Sequence, residues 1–155
     1  YFKDIHEILA PGTLDAGDVL AAGGYYFIGL SQRTNLHGAS QLQKILKKYD
    51  FGSALIPLEN LLHLKSGVAY LERNHLVMIP QFEDLPEFQK FRHIPVRENE
   101  SYAANCIWIN GKVLIAAGFP DTMRKIENAG YETVTLDMSE FRKLDGGLSC
   151  LSVRF

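Results

Sequence analysis

The chain has 155 residues, of which 46% are hydrophobic and 22% charged, and its formal net charge is -2. That length suffices for one domain with its own core, residues 1–155, and the composition is that of an ordinary soluble globular protein. There is no basic stripe to neutralise phosphates, no apolar run of membrane-spanning length and no secretory signal, so nucleic-acid and membrane partners are not expected and a cytoplasmic location is.

The predicted elements, in chain order, repeat one pattern. Gly17 to Ala22 and Tyr25 to Leu30 are short apolar runs around Gly23-Gly24, which predicts a β-hairpin. Leu36, Ala39, Leu42, Ile45, Leu46 and Tyr49 recur at three- and four-residue steps with Lys44, Lys47 and Lys48 between them, an amphipathic helix. Ser53 to Ile56 follows as a buried strand. A second round has a hairpin of Gly67–Leu71 and Leu76–Ile79 around Arg73-Asn74, a short helix at Pro86 to Phe91 and a strand at His93 to Val96. In the third, Cys106–Ile109 and Val113–Ala116 flank Asn110-Gly111, a dipeptide that favours the type I′ turn. Pro120-Asp121 then opens a helix that stops at Gly130, and Tyr131 to Leu136 closes the round. A helical turn at Ser139 to Arg142 and a strand from Leu148 to Phe155 finish the chain. Three rounds of strand–strand–helix–strand and a remnant make an α/β repeat architecture, and repeats of this kind close rings or stack arrays.

Two cysteines, Cys106 and Cys150, are too few for a disulfide framework. No Cys-x-x-Cys or His-x-x-x-His spacing marks a metal site, and no metal or organic cofactor is expected. The chemistry-bearing stretches are Leu14-Asp15-Ala16-Gly17-Asp18, Ser31-Gln32-Arg33-Thr34-Asn35, His63-Leu64-Lys65-Ser66-Gly67, Asp145-Gly146-Gly147 and Ser149-Cys150, all at loop–strand junctions. They hold the parts of a cysteine-nucleophile site with a carboxylate to orient its histidine. Each has a bland alternative. Cys150 alternates with Leu148 as a core cysteine would, and His63 follows Leu61-Leu62 as a buried histidine would. Asp15 and Asp18 fit turn carboxylates, Arg33 a surface cation or cap, and Asp145-Gly146-Gly147 a flexible turn. Spacing alone leaves both sets of readings open.

Taken together, "LDAGDV", "GLSQRTN", "LHLKSGVAYLE", "ESYAANCIWING" and "KLDGGLSCLSVRF" resemble, in that order and over essentially the whole chain, the bacterial dimethylarginine dimethylaminohydrolase family. That family lies in the guanidino-group-modifying (pentein, amidinotransferase-like) superfamily. The resemblance implies a pentein-type α/β propeller of ββαβ units, with about three and a half of five repeats in this sequence and roughly a hundred N-terminal residues of the parent protein absent. It implies hydrolysis of N-omega-methylated arginine to citrulline and an alkylamine through a covalent thiouronium on Cys150. By the same resemblance His63 is the general acid/base, and Asp15 is the carboxylate that orients and charges it, where many bacterial relatives carry Glu. Arg33 holds the substrate α-carboxylate, the Leu144 carbonyl meets its α-amino group, and Asp145 lies beside the nucleophile loop. The acidic residues that grip the guanidinium fall in the absent part. A homodimer is the family-level expectation. The rival readings are an arginine or agmatine deiminase, distinguished by release of ammonia, and a non-catalytic propeller fragment.

Overall fold

The structure, a computed structural model, describes residues 3–152 and divides into two compact units, Tyr1–Leu64 and Lys65–Phe155. In the first, β1 (Val19–Ala22) and β2 (Tyr25–Leu30) form the expected hairpin, antiparallel with Val19 opposite Ile28. The helix α1 (Leu36–Lys48) then crosses to β3 (Gly52–Pro57), which pairs parallel with β2, Phe27 beside Ala54. Asn35 starts the helix by accepting the Gly38 N–H at 2.8 Å, so one of the orphan donors of the first turn is satisfied. Ile28, Ala39 and Leu46 form the unit's buried centre, with Leu14, Tyr26, Leu30, Leu42 and Leu55 packed around them. The three-residue steps read in the sequence are therefore the core stripe of α1, although Leu36 at its start is exposed.

The second unit repeats the arrangement twice. A single α-helical turn, α2 (Leu64–Gly67), leads into β4 (Val68–Tyr70), which pairs antiparallel with β5 (His75–Met78); β6 (Arg92–Pro95) pairs parallel with β5. Likewise β7 (Ile107–Ile109) and β8 (Lys112–Ala116) form a hairpin, and α3 (Pro120–Asn128) carries the chain to β9 (Glu132–Leu136), parallel to β8. The order is thus the same in all three sheets: a hairpin, a crossover, and a parallel third strand. The Asn110-Gly111 turn has positive φ at both residues, 50° and 79°, as a type I′ hairpin demands. In each sheet the middle strand takes a partner on both edges, and Val77, Met78, Val113 and Ile115 are fully buried.

Two expectations are corrected. The helix expected at Pro86 to Phe91 is only a 3-10 turn, Pro86–Phe88. Its apolar rings are used otherwise: Phe88 is buried edge-on against Phe82, 6.0 Å between centroids. Its backbone closes in i→i+3 bonds, the Phe88 N–H to the Leu85 carbonyl and the Gln89 N–H to that of Pro86. The strand expected from Leu148 to Phe155 is, where described, another 3-10 turn, Ser149–Leu151, in which the Cys150 and Leu151 N–H groups fold back onto the Gly147 and Leu148 carbonyls. Residues 153–155 of that expected strand lie outside the described residues. Among the described residues no helix is long and apolar enough to cross a membrane.

Candidate functional site

In Tyr1–Leu64 the sequence candidates converge on one imidazole. The 3-10 turn Ala16–Asp18 enters β1, and its start is capped by Asp15, whose Oδ1 accepts the Gly17 N–H at 2.8 Å. His63, 6% exposed, lies against this turn. A Cβ on Gly17 would come within 2.7 Å of His63 Cγ, so the ring packs directly on backbone that only glycine leaves bare. Its Nδ1 is 3.3 Å from Asp18 Oδ1, and its Nε2 is 3.9 Å from Asp15 Oδ1. Two carboxylates therefore flank the imidazole, one per ring nitrogen. They differ in setting: the Asp15 side chain is about one-third exposed, whereas Asp18 is wholly buried.

Asp18 is saturated with donors. Oδ1 accepts the Leu64 N–H at 3.1 Å, and Oδ2 accepts the hydroxyls of Ser31 at 2.7 Å and Thr34 at 2.6 Å. Burying a carboxylate is costly unless its lone pairs are filled, and here they are. The Thr34 hydroxyl also accepts the Asp15 N–H at 2.9 Å, and Ser31 Oγ accepts the N–H groups of Arg33 and Thr34. The Ser31-to-Thr34 loop thus holds the Asp18 carboxylate and the Asp15 backbone. Arg33 points outward from it, its guanidinium mostly exposed and 3.8 Å from Asp15 Oδ2. A cation held on so constrained a backbone suits recognition of a carboxylate ligand.

In Lys65–Phe155 the candidates are Cys150, Leu144 and Asp145. Cys150 is exposed, contrary to the core placement that its alternation with Leu148 suggests; Leu148 alone is buried, among Ile107, Ala116 and Met138. The other thiol, Cys106, is buried, and burial pushes it up to about 12, which leaves it an inert core residue. The turn bearing Cys150 is clamped by Asn105. Asn105 Nδ2 donates to the Lys65 carbonyl and to Ser149 Oγ, each at 2.9 Å, and its Oδ1 accepts the Ser149 N–H at 2.9 Å. Gly147 lies so close to this amide that a Cβ there would sit 2.6 Å from Asn105 Cγ. The Tyr102 hydroxyl donates to the Gly146 carbonyl at 2.6 Å, and burial raises that phenol above its ordinary value.

Leu144 and Asp145 end the helical turn α4 (Ser139–Arg142). The Gly146 N–H reaches back to the Phe141 carbonyl and the Asp145 N–H to that of Arg142, a Schellman closure. Asp145 occupies its left-handed position, φ 56°, which aspartate tolerates better than most residues. Its observed contribution is thus to turn the chain toward the Gly146-Gly147 step. Leu144 is 87% exposed.

The residues that sequence reasoning left without a role are Asp18, Ser31, Thr34 and Asn105. Asp18 stood in the "LDAGD" stretch only as a turn carboxylate. The available signal was a run of short hydroxyl and amide side chains at strand ends, which carries no partner information. Among the described residues no group of three or more His, Cys, Asp or Glu side chains is gathered to hold a metal.

No family model matches the chain. It is 49% identical over 155 residues to the N(G),N(G)-dimethylarginine dimethylaminohydrolase of Pseudomonas aeruginosa, covering 100% of this chain and 61% of that protein. It is 34% identical to the Streptomyces coelicolor protein of the same name, covering 97% of this chain and 57% of that one. The chain therefore spans about three fifths of the length of these curated relatives. Among solved structures, the Pseudomonas aeruginosa enzyme, as a cysteine-to-serine variant complexed with citrulline, superposes with a TM-score of 0.92 at 49% identity, over 96% of this chain and 58% of that one. An amidinotransferase of saxitoxin biosynthesis from Microseira wollei shares the fold, with a TM-score of 0.79 at 17% identity over 90% of this chain and 47% of that one. The fold class is thus the pentein-type α/β architecture expected from the sequence.

Proposed function

We propose that this chain, similar to the dimethylarginine dimethylaminohydrolases in sequence and fold along its length, supplies the nucleophile and the general acid/base of a hydrolase that converts N-omega-methylated arginines to citrulline and methylamine or dimethylamine. The observation that supports it best is the His63 imidazole with a carboxylate at each nitrogen, in a chain 49% identical from end to end to a protein of that name.

The chemistry follows from these groups. A guanidinium carbon is a poor electrophile, so a thiolate suits it better than a hydroxyl, and a free thiol, with an ordinary pKa of about 8.5, needs help to ionise at neutral pH. The cationic substrate supplies that help by favouring the anion. Cys150 Sγ bonds to the guanidinium carbon and gives a tetrahedral adduct. Protonated His63 hands its proton to the substituted nitrogen, the carbon–nitrogen bond breaks, and the alkylamine departs. An S-alkylthiouronium on Cys150 remains. Neutral His63 then takes a proton from water as the oxygen attacks the same carbon; the carbon–sulfur bond breaks, the thiolate returns and citrulline leaves. One imidazole serves both halves because histidine titrates near working pH. In this reading Asp15 is the carboxylate that orients and charges His63, and Arg33, 3.8 Å from it and mostly exposed, is the cation that holds the substrate α-carboxylate. The Leu144 carbonyl and Asp145 complete the substrate-facing set in this reading.

The same reading takes residues 1–155 as part of a single propeller of five repeats, in a cytoplasmic homodimer that uses no metal or cofactor. The test is incubation of the full natural chain with asymmetric dimethylarginine, reading out citrulline and dimethylamine. Ammonia from unmodified arginine, with no alkylamine from dimethylarginine, would refute it in favour of a deiminase. His63→Gly should slow both formation and hydrolysis of the adduct.

A further inference from the structure

We propose that β5, β6 and the last turn of α3 form a binding site for a small phosphate dianion, held between Arg92 and Lys125 beside His75. The proposal does not depend on the hydrolase reading. An open cleft of about 380 Å³ lies there, in the size range of small-molecule sites, and its polar side chains come from three elements. His75 stands on β5 and Arg92 directly beside it on β6, as register partners of the parallel pair. Lys125 and Asn128 come from α3. No carboxylate lines the cleft. Among the described residues the Arg92 guanidinium has no hydrogen-bond or ion-pair partner, whereas Arg97, Lys112 and Arg124 are each paired with a carboxylate. Lys125 donates one hydrogen to the Pro95 carbonyl at 2.6 Å, which fixes the ammonium at the cleft and leaves it two more to donate. Two fixed cations facing one opening suit a dianion, and the arginine fork matches the oxygens of a phosphate.

His75 reports the same imbalance of charge. Burial and then the Arg92 charge hold its imidazole below the ordinary value; the Arg73 charge adds to this, against a hydrogen bond to the Arg73 backbone that raises it. The other titratable groups around it are Tyr131, Glu72, which acts on Tyr131, and the Lys125 and His93 side chains of the cleft. His93 Nε2 is 2.9 Å from the Phe88 carbonyl and so carries hydrogen toward it. The Tyr131 hydroxyl lies 2.9 Å from both the Glu72 carbonyl and His75 Nδ1. Its one hydrogen goes to the carbonyl, so Nδ1 carries hydrogen and Nε2 is left to gain a proton when an anion arrives. The end of α3 does not oppose an anion with bare oxygens. Its Lys125, Ile126 and Glu127 carbonyls accept the N–H groups of Ala129, Tyr131 and Gly130. Ile94, Pro95 and Ala129 add an apolar wall along which the carbon part of a phosphate monoester fits.

The experiment is a titration of the full natural chain with inorganic phosphate and with phenyl phosphate, at constant ionic strength and about pH 7.5, where a phosphate monoester is largely dianionic. It is read by NMR of the histidine rings, with the His75 signals assigned by their loss in His75→Gln. The expected result is a saturable movement of those signals and a rise in the His75 pKa. Arg92→Gln and Lys125→Gln should each weaken binding by about tenfold or more, the factor that one charge-assisted hydrogen bond is worth. Tighter binding of phenyl phosphate identifies an organic phosphate as the occupant, and equal binding identifies free phosphate; both uphold the site. No saturable movement with either probe, unchanged affinity in Arg92→Gln, or acetate binding as tightly as phosphate overturns the proposal. The Arg92 side chain is exposed and unpaired among the described residues, so Arg92→Gln keeps the fold, and it decides should Lys125→Gln not fold.

Discussion

Replacing Gly17 by alanine should displace His63 without removing any polar side chain. A Cβ at residue 17 would lie 2.7 Å from His63 Cγ and 2.9 Å from both Cδ2 and Nδ1, so it meets the ring face-on. The nearest approach falls 0.7 Å short of the 3.4 Å at which contact becomes ordinary, and the ring or the turn must give by that much. The Nδ1–Oδ1 distance is already 3.3 Å, near the outer limit of a hydrogen bond, so a ring pushed off its face has little margin before the alignment of this contact is lost. Overpacking of this kind costs about 1–3 kcal/mol of stability. In rate the effect is larger, because a misplacement of about 1 Å in a catalytic group costs roughly 100-fold. The assay is kcat on asymmetric dimethylarginine beside a denaturation midpoint and the histidine NMR signals of His63. A Gly17→Ala protein with wild-type kcat and unmoved His63 signals would refute the claim that close packing on this turn sets the imidazole.

Cys150→Ser should abolish turnover and leave the fold intact, and mass spectrometry of denatured, substrate-treated wild type should show the adduct on Cys150; an adduct on Cys106 would overturn the assignment. In the folded protein at neutral pH iodoacetamide should label Cys150 and spare Cys106, whose thiol is buried and pushed up to about 12. Asn105→Ala removes three hydrogen bonds at 2.9 Å and strands the Ser149 N–H, so chemical denaturation should show a loss of about 2–4 kcal/mol, and a loss under about 0.5 kcal/mol would mean that the clamp is idle. Glu100 caps the start of α3 by accepting the N–H groups of Asp121 and Thr122 and the Thr122 hydroxyl; burial works against its ionisation, but these hydrogen bonds and nearby Arg97 prevail, and its carboxyl is held below the usual carboxylate range. Because the folded value is the depressed one, its stabilisation is present above the ordinary glutamate pKa and is lost as pH falls through the folded value. Glu100→Gln should cost about 1–3 kcal/mol at pH 7 and less toward pH 3; equal stability at pH 7 would refute the cap.

What the sequence determined by itself is the repeat. The hairpin at Asn110-Gly111, the stripe of α1 and the opening of α3 at Pro120 all depend on near neighbours along the chain, so their periodicities and turn residues were legible. The resemblance of "HLKSG" and "DGGLSC" also marked His63 and Cys150 before any geometry was known. Local pattern failed at the C-terminal end, where alternation around Cys150 suggested a strand. Only tertiary contact decides that stretch: Asn105, 44 residues away, takes the Ser149 N–H and draws the chain into a turn that exposes the thiol. The different settings of Asp15 and Asp18 were equally out of reach. Both stand in one short acidic stretch, and a sequence records neither which is wholly buried nor which ring nitrogen each faces. Ser31, Thr34 and Leu64, brought up by the hairpin and by the segment that follows β3, make that choice by saturating one carboxylate and leaving the other partly in water.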